Sequence, residues 1–330
     1  MTRLAKIVES FSAKRIVVIG DAIADQFIYG EISRVSREAP VFILRHEHTK
    51  TTPGGAGNCA ANLAALGAKV DLISTLGSDE PGKILYTKLR EAGVGCEGIS
   101  VTSERRTTTK VRVLAGQIHS TRQQVIRIDY DNEPDLSAEL REILSADITR
   151  AVTGADAIVI SDYNYGVADP KIADVVRTAV GPGVPVLVDS RFRLSSFAGF
   201  TSATPNEDEV EQLLGMKHND LSALETAAAQ LRQRLGYQAL LVTRGGQGMT
   251  LIEADTAPLH IDAVGSRQPL DVTGAGDTVI ATYALALASG ASFAEAAHLA
   301  NFAGGLAVMK RGTATVTSGE LLASASGFDT

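Results

Sequence analysis

Five short apolar runs recur along the chain with helix-patterned segments between them: RIVVIGD (Arg15–Asp21), KVDLISTLG (Lys69–Gly77), AIVISDY (Ala157–Tyr163), VPVLVDS (Val184–Ser190) and ALLVTRGG (Ala239–Gly246). Runs this rich in Val, Ile and Leu suit strands buried on both faces, and their alternation with helices predicts a parallel sheet covered on both sides. Several end in Asp, Gly or Thr, which puts polar groups at the carboxyl edge where α/β sheets bind ligands. The second half adds long helical patterns, SALETAAAQLRQRLG (Ser222–Gly236) and SFAEAAHLANFAGGLAVMKRG (Ser292–Gly312). Gly304 and Gly305 lie inside the latter, where each costs about 1 kcal/mol relative to Ala, so a ligand or another helix is expected to approach closely there.

Two segments break the pattern. Residues 28–52 and 105–130 are rich in Thr, Val, Arg and His, and TTTKVRVL (Thr107–Leu114) alternates as a half-exposed strand does. They are expected to form a small β lid inserted into a single domain spanning residues 1–330, since no repeat or linker divides the chain. If Thr107–Leu114 has an open edge, a second subunit should cover it, which predicts a homodimer through the lids.

Composition narrows the functional classes. The chain has 330 residues, 45% hydrophobic and 21% charged, and its net charge of -7 offers no nucleic-acid surface, although a local basic pocket for a small anion remains open. Cys59 and Cys96 have neither metal-ligand spacing nor the density of a disulfide scaffold. Lys, Glu and Arg are scattered through the first 21 residues and VIATYALALASG is too short to span a bilayer. A cytoplasmic protein with no membrane partner is expected.

Two glycine-rich stretches carry the chemistry. In DVTGAGDTVIAT (Asp271–Thr282), small residues lead into an apolar helix, and Asp277 closes the run as either a helix cap or a proton acceptor. The helix start offers unpaired N–H groups to an anion. In TTPGGAGNCAANLAALG (Thr51–Gly67), Gly55, Gly57 and Ala60 have dinucleotide-fingerprint spacing, but EHTKTTP precedes them where that fingerprint needs a hydrophobic strand. A nicotinamide enzyme is therefore disfavoured. Gly54 and Gly55 instead allow close backbone approach, and the Asn58 amide suits sugar hydroxyls. Asp21 and Asp25 follow the first strand, whose carboxyl end is a place to bind vicinal hydroxyls. Asn206 and Glu209, three apart at a helix start, could hold the waters of a phosphate-bridging metal or form a capping box.

Together these elements resemble the PfkB (ribokinase-like) carbohydrate kinase family, through PGGAGN, NEDE, TRGGQG and above all DVTGAGDTVIA. The resemblance covers nearly the whole chain and implies an α/β ribokinase-like three-layer fold with a mostly parallel central sheet and a small β-stranded lid. Within the family, GDAIADQFIYGEISRVSREAPVFIL, TTTKVRV, IRIDYD, SDYNYG and LLVTRGGQGMTL look most like the D-glycero-β-D-manno-heptose 7-phosphate kinases, and the nucleotidyltransferase half of their bifunctional members is not present here. That subfamily usually has Lys at Tyr165 and Pro-Lys at Ser190-Arg191. Arg is not interchangeable with Lys at a phosphate, and Tyr165 carries no charge.

The resemblance implies ATP and Mg2+, with K+ as a further ion. In it Asp277 is the general base and the N–H groups of Gly274, Ala275 and Gly276 form an anion hole. Asp25, Gly54, Gly55 and Asn58 hold the sugar. Asn206, Thr243, Gly246, Gly248 and Asn301 line the nucleotide, Glu209 holds Mg2+ through water, and Asp271 with Thr273 forms a monovalent-cation loop. Arg34, Arg37, Lys110, Arg112, Arg191 and Arg193 are candidates for a phosphate already on the substrate. The expected activity is phosphorylation of the anomeric hydroxyl of a seven-carbon sugar 7-phosphate. Rival acceptors are ribose or a ketohexose phosphate, and a rival class is a sugar-binding regulator without catalysis, against which the retained Asp277 speaks.

Overall fold

The computed structural model describes residues 2–116, 122–133, 135–217, 220–265 and 269–326. With elements numbered along the chain, the five apolar runs form β1 (Arg15–Gly20), β4 (Lys69–Gly77), β8 (Ala157–Asp162), β9 (Val186–Ser190) and β11 (Ala239–Thr243). Shorter strands that the apolar pattern does not reveal complete their sheet: β5 (Ile99–Thr102), β10 (Ser202–Ala203), β12 (Met249–Glu253) and β13 (Leu259–Ile261). The nine strands lie in the order β13-β12-β11-β10-β9-β8-β1-β4-β5. The sheet is parallel from β11 to β5, and β12 and β13 add an antiparallel edge.

Side chains alternate across this sheet, so each strand feeds two cores. Ile16 and Val18 of β1 join one cluster, whereas Val17 and Ile19 join the other. The first cluster packs under α1 (Arg3–Glu9), α2 (Ala56–Ala65), α3 (Glu80–Glu91), α8 (Ala275–Ala288), α9 (Phe293–Ala307) and α10 (Ser318–Ala325). The second packs under α4 (Ala138–Ala151), α5 (Pro170–Ala179), α6 (Glu207–Leu214) and α7 (Leu221–Leu235). Helices on both faces of a mostly parallel sheet give the three layers expected from the sequence. Among the described residues no helix is long and apolar enough to cross a membrane.

A second sheet has the order β3-β2-β6-β7, formed by β2 (Ala22–Val35), β3 (Phe42–Gly55), β6 (Thr109–Gly116) and β7 (Gln123–Tyr130). Its strands extend beyond the segment 28–52 read from the sequence, to Ala22 at one end and Gly55 at the other. Asp25 therefore lies within β2 and not at the carboxyl end of β1, where Asp21 stands. The Thr107–Leu114 segment is also not an open edge, because β6 lies between β2 and β7. The open edges belong to β3 and β7. Residues 117–121 of the second expected lid segment lie outside the described residues.

Glycines set how closely these layers approach. A Cβ on Gly20 would lie 2.0 Å from the Ser161 carbonyl oxygen of neighbouring β8. One on Gly305 would lie 2.3 Å from the Val264 carbonyl oxygen, so the glycine in α9 admits the loop after β13. Gly20→Ala is expected to destabilise the protein by about 1–3 kcal/mol or more through overpacking against backbone. Denaturant unfolding checks this, and an unchanged midpoint would show that the strands can part at no cost.

Candidate active site

The carboxyl edge of the central sheet is organised by acids that anchor loops. Asp21, directly after β1, accepts the backbone N–H groups of Tyr163 at 2.9 Å, Tyr165 at 3.1 Å and Val167 at 3.0 Å. Burial outweighs these bonds and raises its pKa to about 6. Asp162, at the end of β8, accepts the Ser190 hydroxyl at 2.7 Å and the Arg193 guanidinium. The loop after β8 is thus tied at both sides, and Tyr163 is fixed at the mouth of the sheet.

Asp277 stands in the first turn of α8 and is 3% exposed. Its Oδ2 accepts from Asn58 Nδ2 at 2.8 Å and its Oδ1 from the Tyr163 hydroxyl, also at 2.8 Å. Burial raises its pKa to about 6 against the lowering by these two bonds; Asp25 raises it further and Arg191 opposes. Of the two glycines preceding it, Gly274 has a steric reason, whereas a Cβ on Gly276 would meet nothing within 4 Å. Gly274 caps α8 with φ 77°, and a Cβ there would lie 2.4 Å from Asn58 Nδ2. The Ala275 N–H turns back to the Val272 carbonyl over 3.3 Å. The N–H groups of Gly276 and Asp277, in the same first turn, have no acceptor within the helix and are available to an anion.

The residues expected to hold a sugar meet here. Asp25 is buried and paired with Arg112 at 2.5 Å, and burial raises its pKa against that pairing. A Cβ on Gly54 would lie 2.3 Å from Asp25 Oδ2, so the glycine leaves this carboxylate uncovered. Gly55, with φ 55°, turns β3 into α2 and delivers Asn58. The Asn58 amide, expected on sugar hydroxyls, donates instead to Asp277 and to the Gly274 carbonyl at 3.3 Å.

The expected nucleotide residues lie along β11 and its neighbours. Asn206 pairs as a parallel bridge with Thr243, and with Glu209 it forms the capping box left open by the sequence: Glu209 N–H to Asn206 Oδ1 at 2.8 Å, Asn206 N–H to Glu209 Oε2 at 2.9 Å. Gly248 is required by close approach to the Ile261 carbonyl, whereas a Cβ on Gly246 would meet nothing within 4 Å. Asn301 is buried and donates to the Asp262 carbonyl at 2.8 Å, which pins the loop after β13. Asp271 spends both oxygens on backbone, accepting from Thr273 N–H at 3.0 Å and Gly312 N–H at 2.9 Å.

Two groups escaped the sequence reading. Tyr163 has no motif of its own; only its place after a strand ending in Asp marks it. Asp189 is carried by β9, whose acidic end was visible, and its carboxyl is held well above the usual range by burial first and then by the charge of Glu209 and Asp277. Arg191 opposes that shift and lies 5.3 Å from the Tyr163 ring centre. The six basic candidates also separate. Arg112 and Arg193 are committed to Asp25 and Asp162. Arg34 and Arg37 are exposed and lie at or beyond the end of β2; Arg34 is about 30 Å along the strand from Asp25. Lys110 is buried, 4.0 Å from Asp129 and 5.5 Å from the Tyr165 ring centre, and Arg191 is exposed beside Tyr163.

A buried carboxyl in the first turn of a helix, beside N–H groups of the same turn, is suited to accepting a proton next to a bound anion. Residues 13–318 match the model of the pfkB family of carbohydrate kinases, and the chain belongs to that family. It is 40% identical over 314 residues to the D-beta-D-heptose 7-phosphate kinase of Bordetella bronchiseptica, covering 95% of this chain and 96% of that protein. It is 43% identical over 328 residues to the bifunctional protein HldE of Caulobacter vibrioides, covering 98% of this chain and 66% of the relative. The chain thus spans just under two-thirds of that bifunctional protein. The structure of Arabidopsis thaliana ribokinase complexed with ribose and ATP shares the fold, with a TM-score of 0.73 at 23% identity over 94% of this chain and 98% of that chain.

The Asp277 environment predicts the acid limb of the phosphoryl-transfer rate. A base accepts a proton only when ionised, so the rate should rise with unit slope as pH increases and level off above the carboxyl pKa of about 6. A kcat/KM–pH profile, which reports the groups of the free enzyme, checks this; a limb at the ordinary carboxylate value of about 4 would assign the rate to a different environment.

Proposed function

We propose that this protein is an ATP-dependent kinase that transfers the γ-phosphoryl group to O-1 of D-glycero-β-D-manno-heptose 7-phosphate. The observation that carries the chemistry is Asp277, buried in the first turn of α8 with both oxygens hydrogen-bonded. The acceptor hydroxyl gives its proton to Asp277, its oxygen bonds to the γ-phosphorus, and the bond from that phosphorus to the β–γ bridging oxygen breaks to release ADP. The N–H groups of Gly276 and Asp277 are assigned to the charge that develops on the phosphoryl oxygens, since the Ala275 N–H of the expected anion hole is turned to the Val272 carbonyl. Thr243, Gly246, Gly248 and Asn301 are assigned to the nucleotide side.

Asp189 and Glu209 are assigned to Mg2+: burial first, and then the charge of Glu209, disfavours ionised Asp189, and a divalent ion would offset both. When bound, Mg2+ neutralises charge on the phosphates. Asp25 and Gly54 are assigned to the sugar hydroxyls, and Lys110 to the phosphate already on the substrate.

The sugar assignment rests on the 40% identity to a heptose 7-phosphate kinase along almost its whole length. Charge-assisted contacts contribute about 1.5–3 kcal/mol each, so the 7-phosphorylated heptose should exceed the unphosphorylated sugar by ~10²-fold or more in kcat/KM. Lys110→Met should lose most of that preference. A panel of sugars and sugar phosphates with ATP is the test; preference for ribose or a ketohexose phosphate by a similar margin would remove heptose and leave the kinase.

We also read the chain as one kinase domain that dimerises through its second sheet. Lys110 and Arg112 pair with Asp129 and Arg127, so Val111, Val113, Ile126 and Ile128 share the opposite face, where Ile126 is 53% and Ile128 43% exposed. An apolar face beside the open β7 edge suits a second copy. Sedimentation should give a dimer that Ile126→Lys with Ile128→Lys converts to monomer; a wild-type monomer at working concentration would contradict it. The buried, unpaired thiols of Cys59 and Cys96 suit a cytoplasmic location.

A further inference from the structure

We propose that Tyr163 is a two-sided positioning residue: its hydroxyl fixes the base Asp277 while its ring face fixes the cation Arg191, so that base and cation keep one separation across the phosphoryl path. This rests on the kinase reading above and adds a part to it. The hydroxyl donates to Asp277 Oδ1 at 2.8 Å, and the Arg191 guanidinium carbon lies 5.3 Å from the ring centre. Both residues are rooted. The Tyr163 N–H donates to Asp21 at 2.9 Å, and the Arg191 N–H donates to the Asp162 carbonyl at 3.3 Å.

Arg191 itself is exposed, and no carboxylate holds it in an ion pair among the described residues. A long side chain in water samples many rotamers, and the aromatic face is what confines this one. Its charge acts on Asp277, Asp189 and Glu209, the three carboxyls around the transfer site.

The groups facing Asp277 are Asp25 from β2, Asn58 and Cys59 from α2, Tyr163 from the loop after β8, and Asp189 and Arg191 from the end of β9. Burial and the Asp277 charge push the Tyr163 hydroxyl well above its usual pKa, so it remains a donor. Removing that donor leaves Asp277 holding its proton to higher pH.

The test combines kinetics on the best acceptor from the sugar panel with infrared titration of the Asp277 carboxyl, read as the difference from Asp277→Asn. Tyr163→Phe should lower kcat about tenfold with both KM values within about threefold, and raise the infrared midpoint. Tyr163→Leu should cost more, and adding Arg191→Met to it should cost no more than about a further threefold, because the cation has already lost its seat. An unchanged kcat and midpoint in Tyr163→Phe overturns the hydroxyl's role. Losses that multiply in the double variant overturn the ring's role. Should Tyr163→Leu fail to fold, Arg191→Lys decides the second half: a fall of at least about fivefold supports stacking, and wild-type kcat rejects it. If the wild type phosphorylates no sugar, the kinase reading fails by itself, and the infrared midpoint still decides whether Tyr163 holds the carboxyl.

Discussion

Burying one carboxylate in the first turn of α8 constrains much of the rest of the structure. A carboxylate removed from water needs donors, and Asp277 receives one from α2 and one from the loop after β8, elements that are 219 and 114 residues away in sequence. Each donor needs its own support. Asn58 reaches Asp277 because Gly55 turns the chain from β3 into α2 and because Gly274 has no side chain to obstruct the amide. Tyr163 reaches it because Asp21 gathers three N–H groups of its loop. The glycine-rich signature is therefore partly a matter of space around the base, in addition to the N–H groups it presents.

The acids at the carboxyl edge divide by what satisfies them. Asp21, Asp79 and Asp162 are satisfied by protein groups and serve as anchors; Asp79 accepts the N–H of Gly82 and both the N–H and hydroxyl of Thr107, which ties α3 to the entry of β6. Asp189, Glu209 and Asp277 are raised mainly by burial, as Asp21 is, and the charges of Glu209 and Asp277 raise Asp189 further. A neighbouring cation favours the ionised form of such groups, and the Arg191 charge opposes the shift of each of the three. The second sheet adds Asp25, paired with Arg112, whose charge also raises Asp277.

Much of the fold was legible from the sequence because buried parallel strands are continuous apolar runs, and β1, β4, β8, β9 and β11 all follow them. Strands of two or three residues such as β10 and β13 leave no such trace, and the antiparallel edge depends on pairing that no local pattern records. The second sheet was visible in Thr107–Leu114, but its reach to Ala22 and Gly55 was hidden where β2 continues almost directly from β1. At the site, Asp277 stood out through its glycines. The part played by Asn58 was not legible, since an amide suited to a sugar is equally suited to a carboxylate. Tyr163 was missed because its role is a contact across more than a hundred residues. The basic candidates could be sorted only once Arg112 and Arg193 were seen beside their acids.

The central claim is that Asp277 accepts the proton of the acceptor hydroxyl. Single-turnover phosphoryl transfer by Asp277→Asn, with ATP affinity measured on the same preparation, tests it most directly. The amide keeps the size of the side chain and removes its basicity. Transfer should slow by at least ~10²-fold while ATP binds nearly as before. Transfer at a near-normal rate would remove Asp277 from the chemistry and leave it as a buried acceptor that joins α8 to α2 and to the loop after β8.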